Sequence, residues 1–119
     1  MKIRIKGNSL RYRLTKSEVA TLRADGRLTE CTEFAGKTLL YGIEVVNEVA
    51  TKISADFIGD RIMLFMPKAM IDELANTERV GFEGRTGQVS LLVEKDFVCI
   101  DQTDEDQSDN YPNPSQTCK

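Results

Sequence analysis

Hydrophobic and polar residues alternate strictly along the first fourteen residues of the chain. The apolar positions are Ile3, Ile5, Leu10, Tyr12 and Leu14, and the basic positions between them are Lys2, Arg4, Lys6, Arg11 and Arg13. Successive side chains of a strand point to opposite faces, so the pattern predicts two strands, each with one apolar and one basic face. The Gly7-Asn8 pair between the two runs predicts a β-hairpin turn. We therefore expect an N-terminal hairpin with a buried apolar face.

Two helices and several more strands are predicted along the rest of the chain. Residues 15–18 have the spacing of a capping box, and Asp25-Gly26 is a stop signal, which predicts a helix over 16–25. Pro67 suits a first helical position and predicts a second helix over 67–76. Strands are predicted over 28–34, 38–46, 51–58, 61–66 and 88–100, with residues 82–87 forming a loop or a wide hairpin.

The predicted order of elements is β-β-α-β-β-β-β-α-β, and every strand-to-strand connection is short. Short connections join antiparallel neighbours, because a parallel neighbour needs a longer crossover. We therefore predict an α+β fold with an antiparallel, six- to seven-stranded, strongly curved or barrel-like sheet and two short helices. Residues 1–100 form the single predicted domain, and residues 101–119 form an acidic, Pro-containing C-terminal segment, either docked or disordered.

Bulk composition narrows the class of protein. The chain has 119 residues with 40% hydrophobic and 29% charged residues, which is typical of one soluble globular domain. The longest apolar runs, such as 62–66, are too short to span a bilayer, and no apolar segment follows a basic start, so we expect a cytoplasmic protein without a signal peptide. Three widely spaced cysteines without a CxxC pair indicate free thiols in a reducing compartment.

The chain contains no histidine. Its absence excludes Ser-His-Asp and Cys-His catalytic groups and imidazole metal sites. Any catalysis would have to use carboxylates, lysine, tyrosine or a thiol. We therefore expect a binding protein rather than an enzyme.

Charge is distributed unevenly between the two ends of the chain. Residues 1–16 hold six cations and no acid, whereas residues 94–119 hold seven acids and two lysines. The basic face of the predicted hairpin, formed by Lys2, Arg4, Lys6, Arg11 and Arg13, is the first candidate site, for a small phosphate-type anion or an acidic protein segment. The simpler interpretation is a solvated sheet face that discourages aggregation.

The acidic segment supplies two further hypotheses. Asp104, Asp106 and Asp109 are a weak candidate for binding calcium or magnesium, because a calcium loop would carry glycine where Asp109 stands. No other cofactor is expected. Alternatively, the segment lies across the basic face and neutralises it, with Tyr111 and Pro112 as its apolar anchor.

Two stretches of the chain resemble a family of short bacterial proteins of unknown function. They are MKIRIKGNSLRYRLTKSEV at the start and EKDFVCIDQTDEDQSDNYPNP near the end. The resemblance implies a self-contained domain and carries no activity, ligand or catalytic residue.

The leading functional hypothesis is a small non-enzymatic binding domain that uses the basic face. The alternative is a metal-assisted enzyme in which carboxylates hold a divalent ion and the cations hold a phosphorylated substrate. Nucleic acid is an unlikely partner because the pI is about 5.0 and aromatic residues are few, and no membrane partner is expected. The oligomeric state stays open.

Overall fold

A computed structural model describes residues 1–47, 51–97, 109 and 111. They form eight strands and two helices, in chain order β1 (Lys2–Ile5), β2 (Ser9–Leu14), α1 (Lys16–Asp25), β3 (Arg27–Phe34), β4 (Lys37–Val46), β5 (Ser54–Ile58), β6 (Arg61–Pro67), α2 (Lys68–Asn76), β7 (Gly81–Thr86) and β8 (Val89–Lys95). Both predicted helices and the predicted hairpin around Gly7-Asn8 are confirmed, and Gly59-Asp60 forms the corresponding turn between β5 and β6. Neither described helix is long and apolar enough to cross a bilayer, and the expected cytoplasmic location stays a prediction.

The strands form two mixed sheets rather than one antiparallel sheet. Sheet 1 has the order β1-β2-β8-β7 and sheet 2 the order β3-β4-β6-β5. Each sheet consists of two antiparallel hairpins joined by a parallel central pair, β2 with β8 and β4 with β6. The α+β class is therefore confirmed, whereas the six- to seven-stranded antiparallel, barrel-like sheet is wrong. Residues 82–87, interpreted as a loop or wide hairpin, are mostly strand β7.

Strand direction gives the molecule two distinct ends. The four two-residue hairpin turns, at 7–8, 35–36, 59–60 and 87–88, lie together because β2 runs parallel to β8 and β4 parallel to β6. We call this the turn end. The helices lie at the opposite end, where α1 connects β2 to β3 and α2 connects β6 to β7, so each helix crosses from one sheet to the other.

The core lies between the two sheets and is closed at the helix end by α1 and α2. It contains the buried side chains Tyr12, Leu14, Val19, Leu22, Ile43, Ile53, Leu64, Met66, Ile71, Leu74, Phe82, Leu91 and Val93. The prediction that the whole apolar face of the first hairpin is buried holds for Tyr12 and Leu14. Ile3 and Leu10 are only partly buried, and the prediction is wrong for Ile5, which is 59% exposed. Four large hydrophobic residues are exposed next to the hairpin turns, namely Ile5, Phe34, Phe57 and Ile58.

The two halves of the chain have the same plan, β-β-α-β-β, with a constant offset of 52 residues. Gly7 corresponds to Gly59, with φ of 53° and 58°, and the first residues of the helices, Lys16 and Lys68, are also 52 apart. The hairpin registers follow the same offset, since Ile5 pairs with Leu10 and Phe57 with Ile62. The halves are interleaved, because each sheet takes one hairpin from each half.

Buried positions follow this offset although the side chains differ. Tyr12, Leu14, Val19 and Leu22 correspond to Leu64, Met66, Ile71 and Leu74, and all eight are buried. The molecule therefore has an approximate internal two-fold relation, and each half supplies a control for the other.

Candidate functional site

The basic face lies on the solvent side of sheet 1, as the alternation predicts. Lys2 pairs with Arg13 and Arg4 pairs with Arg11 across β1 and β2. Side chains of directly paired residues lie on the same face, about 4.5–5.5 Å apart at their Cβ atoms. The structure therefore brings four of the five predicted residues together, and Lys6 follows them at the start of the turn.

Two carboxylates, Glu94 in β8 and Asp96 directly after it, neutralise the part of the basic face nearest the helix end. Glu94 Oε1 lies 3.0 Å from Arg13 Nε and 3.6 Å from Arg11 Nε. Asp96 Oδ2 lies 3.2 Å from Lys2 Nζ. Both acids are largely buried, with side-chain exposures of 18% and 7%, and their ion pairs connect the first hairpin to the end of β8.

Sequence reasoning did not pair these acids with the basic face. The parallel pairing of β2 with β8 joins Arg13 to Glu94, residues 81 positions apart in the chain. The only sequence signal was the opposite charge of the two ends. Local patterns contain no information about this register.

The part of the basic face nearest the turn end stays cationic. Within the described part of the chain, no carboxylate forms an ion pair with Arg4 or Lys6. Arg4 lies directly opposite Arg11, whose only described acidic neighbour, Glu94, is shared with Arg13. Two guanidinium groups and one ammonium group thus converge with a single shared carboxylate, which is an arrangement that favours an anion.

Two residues of the acidic segment contact the start of α1. The Asp109 carbonyl accepts a hydrogen bond of 3.1 Å from Lys16 N–H, and its carboxylate accepts one of 3.2 Å from Ser17 N–H. The Ser17 hydroxyl also donates to this carboxylate. Hydrogen bonds from Ser17 and then Thr15 lower the pKa of Asp109. Asp109 therefore satisfies backbone donors that the first turn of a helix leaves free.

Tyr111 is held by aromatic and cationic neighbours at the end of β8. Its N–H donates to the Asp96 carbonyl at 2.8 Å, and its ring packs edge-on against Phe97. The ammonium groups of Lys95 and Lys16 lie 4.8 and 5.8 Å from the ring centroid. Lys95 also donates to the Thr77 carbonyl at 2.8 Å, and burial lowers its pKa, although Glu78 acts in the opposite direction. The proposed position of the remaining acidic segment across the basic face stays a prediction.

The candidate metal ligands are not brought together by the described residues. Asp104 and Asp106 lie outside the described part of the chain, and Asp109 caps α1. Across residues 1–47 and 51–97 with 109 and 111, no three acidic or cysteine side chains form a cluster that could hold a metal ion. Calcium or magnesium binding, and the metal-assisted enzyme that depends on it, stay untested. Of the cysteines, Cys31 is described and is an exposed free thiol.

Comparison with known proteins identifies a family without identifying an activity. A family model described as a family of unknown function, DUF7009, matches residues 1–115. No curated protein and no solved structure matches the chain. The resemblance to an uncharacterised family is confirmed, and its bacterial origin stays a prediction.

Proposed function

We propose that the chain, which belongs to DUF7009, a family of unknown function, is a non-enzymatic binding domain that holds an anionic group on its basic face. The site is centred on Arg4, Lys6 and Arg11. Lys2 and Arg13, which face Asp96 and Glu94, form its edge nearest the helix end.

The comparison between the two halves of the chain carries this proposal. The positions that correspond to Lys2, Arg4, Lys6, Arg11 and Arg13 after the offset of 52 are Ser54, Asp56, Ile58, Met63 and Phe65. Not one of these is a cation, yet β5 and β6 form the same hairpin in the same place in sheet 2. A hairpin of this kind can therefore form without basic residues, and a function in binding explains Arg4 and Lys6, which form no ion pair within the described part of the chain.

Electrostatics supports the same conclusion. Like charges directly opposite one another on a sheet are destabilising, and Arg4 faces Arg11 in this way. A bound anion removes this repulsion, and the planar guanidinium groups match the oxygen atoms of phosphate or carboxylate. The ligand is thus expected to stabilise the folded protein, because it binds the native hairpin and not the unfolded chain.

Calorimetric titration with pyrophosphate and with a polyglutamate peptide tests the proposal. In the double variant Arg4→Glu and Arg11→Glu, we expect the affinity for the anion that binds to fall by about tenfold or more, because two attractive charges become repulsive. Raising the salt concentration should also weaken binding to the native chain, because salt screens the attraction between the anion and the cations.

Arg61→Glu provides the matched control. Arg61 is an exposed strand cation at the turn end of sheet 2, and its replacement makes the same charge change for one residue outside the basic face. Binding should be unchanged in this variant. The proposal is wrong if the double variant binds as tightly as the native chain, or if neither ligand binds the native chain.

A further inference from the structure

The two sheets meet along two seams that correspond to each other but differ in structure. One seam lies between the edge strands β5 and β7, and the other between the edge strands β1 and β3. The offset of 52 relates β1 to β5 and β3 to β7, so the two seams should look alike if the halves were identical. We call them the closed seam and the open seam.

Small side chains close the seam between β5 and β7. The Ala55 N–H donates to the Thr86 hydroxyl at 2.8 Å, which joins the two sheets. Ile53 packs directly on the backbone of Gly84, where an added Cβ atom would lie 2.3 Å from the Ile53 Cγ1 atom. Ile53 is consequently buried, with 1% exposure.

Larger side chains line the seam between β1 and β3. At the corresponding positions, Thr32 replaces Gly84, Phe34 replaces Thr86, and Ile3 replaces Ala55. A side chain at position 32 excludes the close packing that Gly84 allows. Strand β3 is accordingly exposed at Thr32 and Phe34, whereas β7 is half-buried at Gly84 and Thr86.

Contacts near the helix end fix how β1 and β3 lie beside each other. The amine of Met1 lies 2.6 Å from Glu30 Oε2 and also forms an ion pair with Glu18. Both strands run from this contact toward the turn end, and Ile5 and Phe34 each lie four residues further along. Ile5 and Phe34 therefore lie toward the turn end of the two strands, with exposures of 59% and 62%.

The cations of the basic face lie on the other side of the same edge strand. In β1 the side chains of Arg4 and Ile5 point to opposite faces, and Lys6 continues the basic face. Because β1 is an edge strand, a molecule can contact its basic side and reach around it to the apolar side chains of the open seam.

We propose that the open seam takes the hydrocarbon part of a small amphipathic anion whose phosphate or carboxylate group lies on Arg4, Lys6 and Arg11. This inference rests on the proposed function and adds the chemistry of the rest of the ligand. The charge of the flanking cations selects an anion, and the exposed Ile5 and Phe34 select one with an apolar part. The ligand is a free small molecule, since the ion pairs of Met1 close the seam at its other end.

Titration with hexyl phosphate and with inorganic phosphate tests the inference. We expect hexyl phosphate to bind at least about tenfold more tightly, the gain expected from burying roughly two methylene groups. The variants Ile5→Ser and Phe34→Ser should remove this difference and leave the affinity for inorganic phosphate unchanged. Both replaced side chains are exposed, and circular dichroism should show an unaltered fold.

Phe57→Ser is the matched control, because Phe57 corresponds to Ile5 beside the closed seam and is 70% exposed. It should bind hexyl phosphate as the native chain does. Equal affinity of the native chain for both phosphates would overturn the inference and leave the proposed function intact. Loss of the preference in Phe57→Ser as well, or binding only to vesicles of anionic phospholipid and not to monomeric hexyl phosphate, would also overturn it. If neither the phosphates nor the acidic peptide bind, the proposed function itself fails.

Discussion

At the residue scale, two carboxylates hold the amine of Met1 at the open seam in its charged form. Burial lowers the pKa of this amine, but hydrogen bonds and attraction from Glu18 and Glu30 outweigh burial and raise it above its ordinary value of 8.0. The same two carboxylates help raise the pKa of Tyr41, although burial is the larger cause there. Met1 corresponds to Ile53 after the offset of 52. A charged amine is thus found at the open seam, whereas the corresponding residue of the closed seam is a buried apolar side chain.

Stability should consequently fall at alkaline pH. A group whose pKa is raised by folding contributes stability that is fully present below its unfolded pKa, here about pH 8, and lost as pH rises through its folded pKa. Urea unfolding at pH 7, 8, 9 and 10 measures this loss. In Glu30→Gln the free energy of unfolding should change less with pH between pH 8 and 10, because Glu30 no longer raises the pKa of the Met1 amine. If the stability of Glu30→Gln fell with pH as steeply as that of the native chain, the Met1 amine would not be the cause of the loss.

At the scale of elements, Asp109 contributes stability to α1 from outside the helix. Replacing it with Asn removes the carboxylate that accepts from Ser17, so the melting temperature at pH 7 should fall. Folding lowers the pKa of Asp109, so its contribution is present above the usual carboxyl pKa of 3.8 and disappears as pH falls through the lower folded value. The melting temperatures of Asp109→Asn and the native chain should thus converge in acid.

Asp25→Asn provides the control for this prediction. It removes the same charge from the last turn of the same helix, where a negative charge opposes the helix dipole. Its melting temperature at pH 7 should not fall. Equal losses in both variants would mean that net charge, and not the contact with Ser17, is responsible.

Helices and hairpins were predictable because their signals are local. The capping box of Thr15 and Glu18 is seen as a 2.9 Å hydrogen bond from Thr15 N–H to the Glu18 carboxylate, and Gly26 ends α1 in the left-handed region at φ 74°. A glycine inside a strand often marks a close backbone approach. Gly42 in β4 lies against β3, where an added Cβ atom would be 2.4 Å from the Leu28 carbonyl oxygen. Each of these signals lies within a few residues of the structure it specifies.

The parallel pairs, and with them the two-sheet arrangement, were not predictable in this way. Hairpin turns specify which strands are antiparallel, but no turn connects β2 to β8 or β4 to β6. The basic residues were found from alternation alone, whereas Glu94 and Asp96 reach them only through the tertiary fold. The repeat was also not predictable from the sequence, because corresponding residues such as Tyr12 and Leu64 are both buried but are not identical.

For the whole molecule, interleaving makes the two halves interdependent. Neither half contains a complete sheet, since each sheet takes two strands from residues 1–47 and two from residues 51–97. Separate peptides of residues 1–49 and 50–119 should therefore be unfolded alone and fold when mixed in equal amounts. Circular dichroism and light scattering would detect the mixed complex. A stable monomeric fold in either peptide alone would contradict this expectation.

The pairing of β2 with β8 also bears on synthesis of the protein by the ribosome. Ser9 pairs with Ser90, so the inner neighbour of the first hairpin is synthesised about 80 residues after the hairpin itself. Non-local pairing slows folding, because chain entropy is lost in bringing distant segments together before their contacts compensate for that loss. On a nascent chain, the N-terminal hairpin remains without its partner strand until β8 has left the exit tunnel. Sheet 1 can therefore be completed only after β8 has been synthesised.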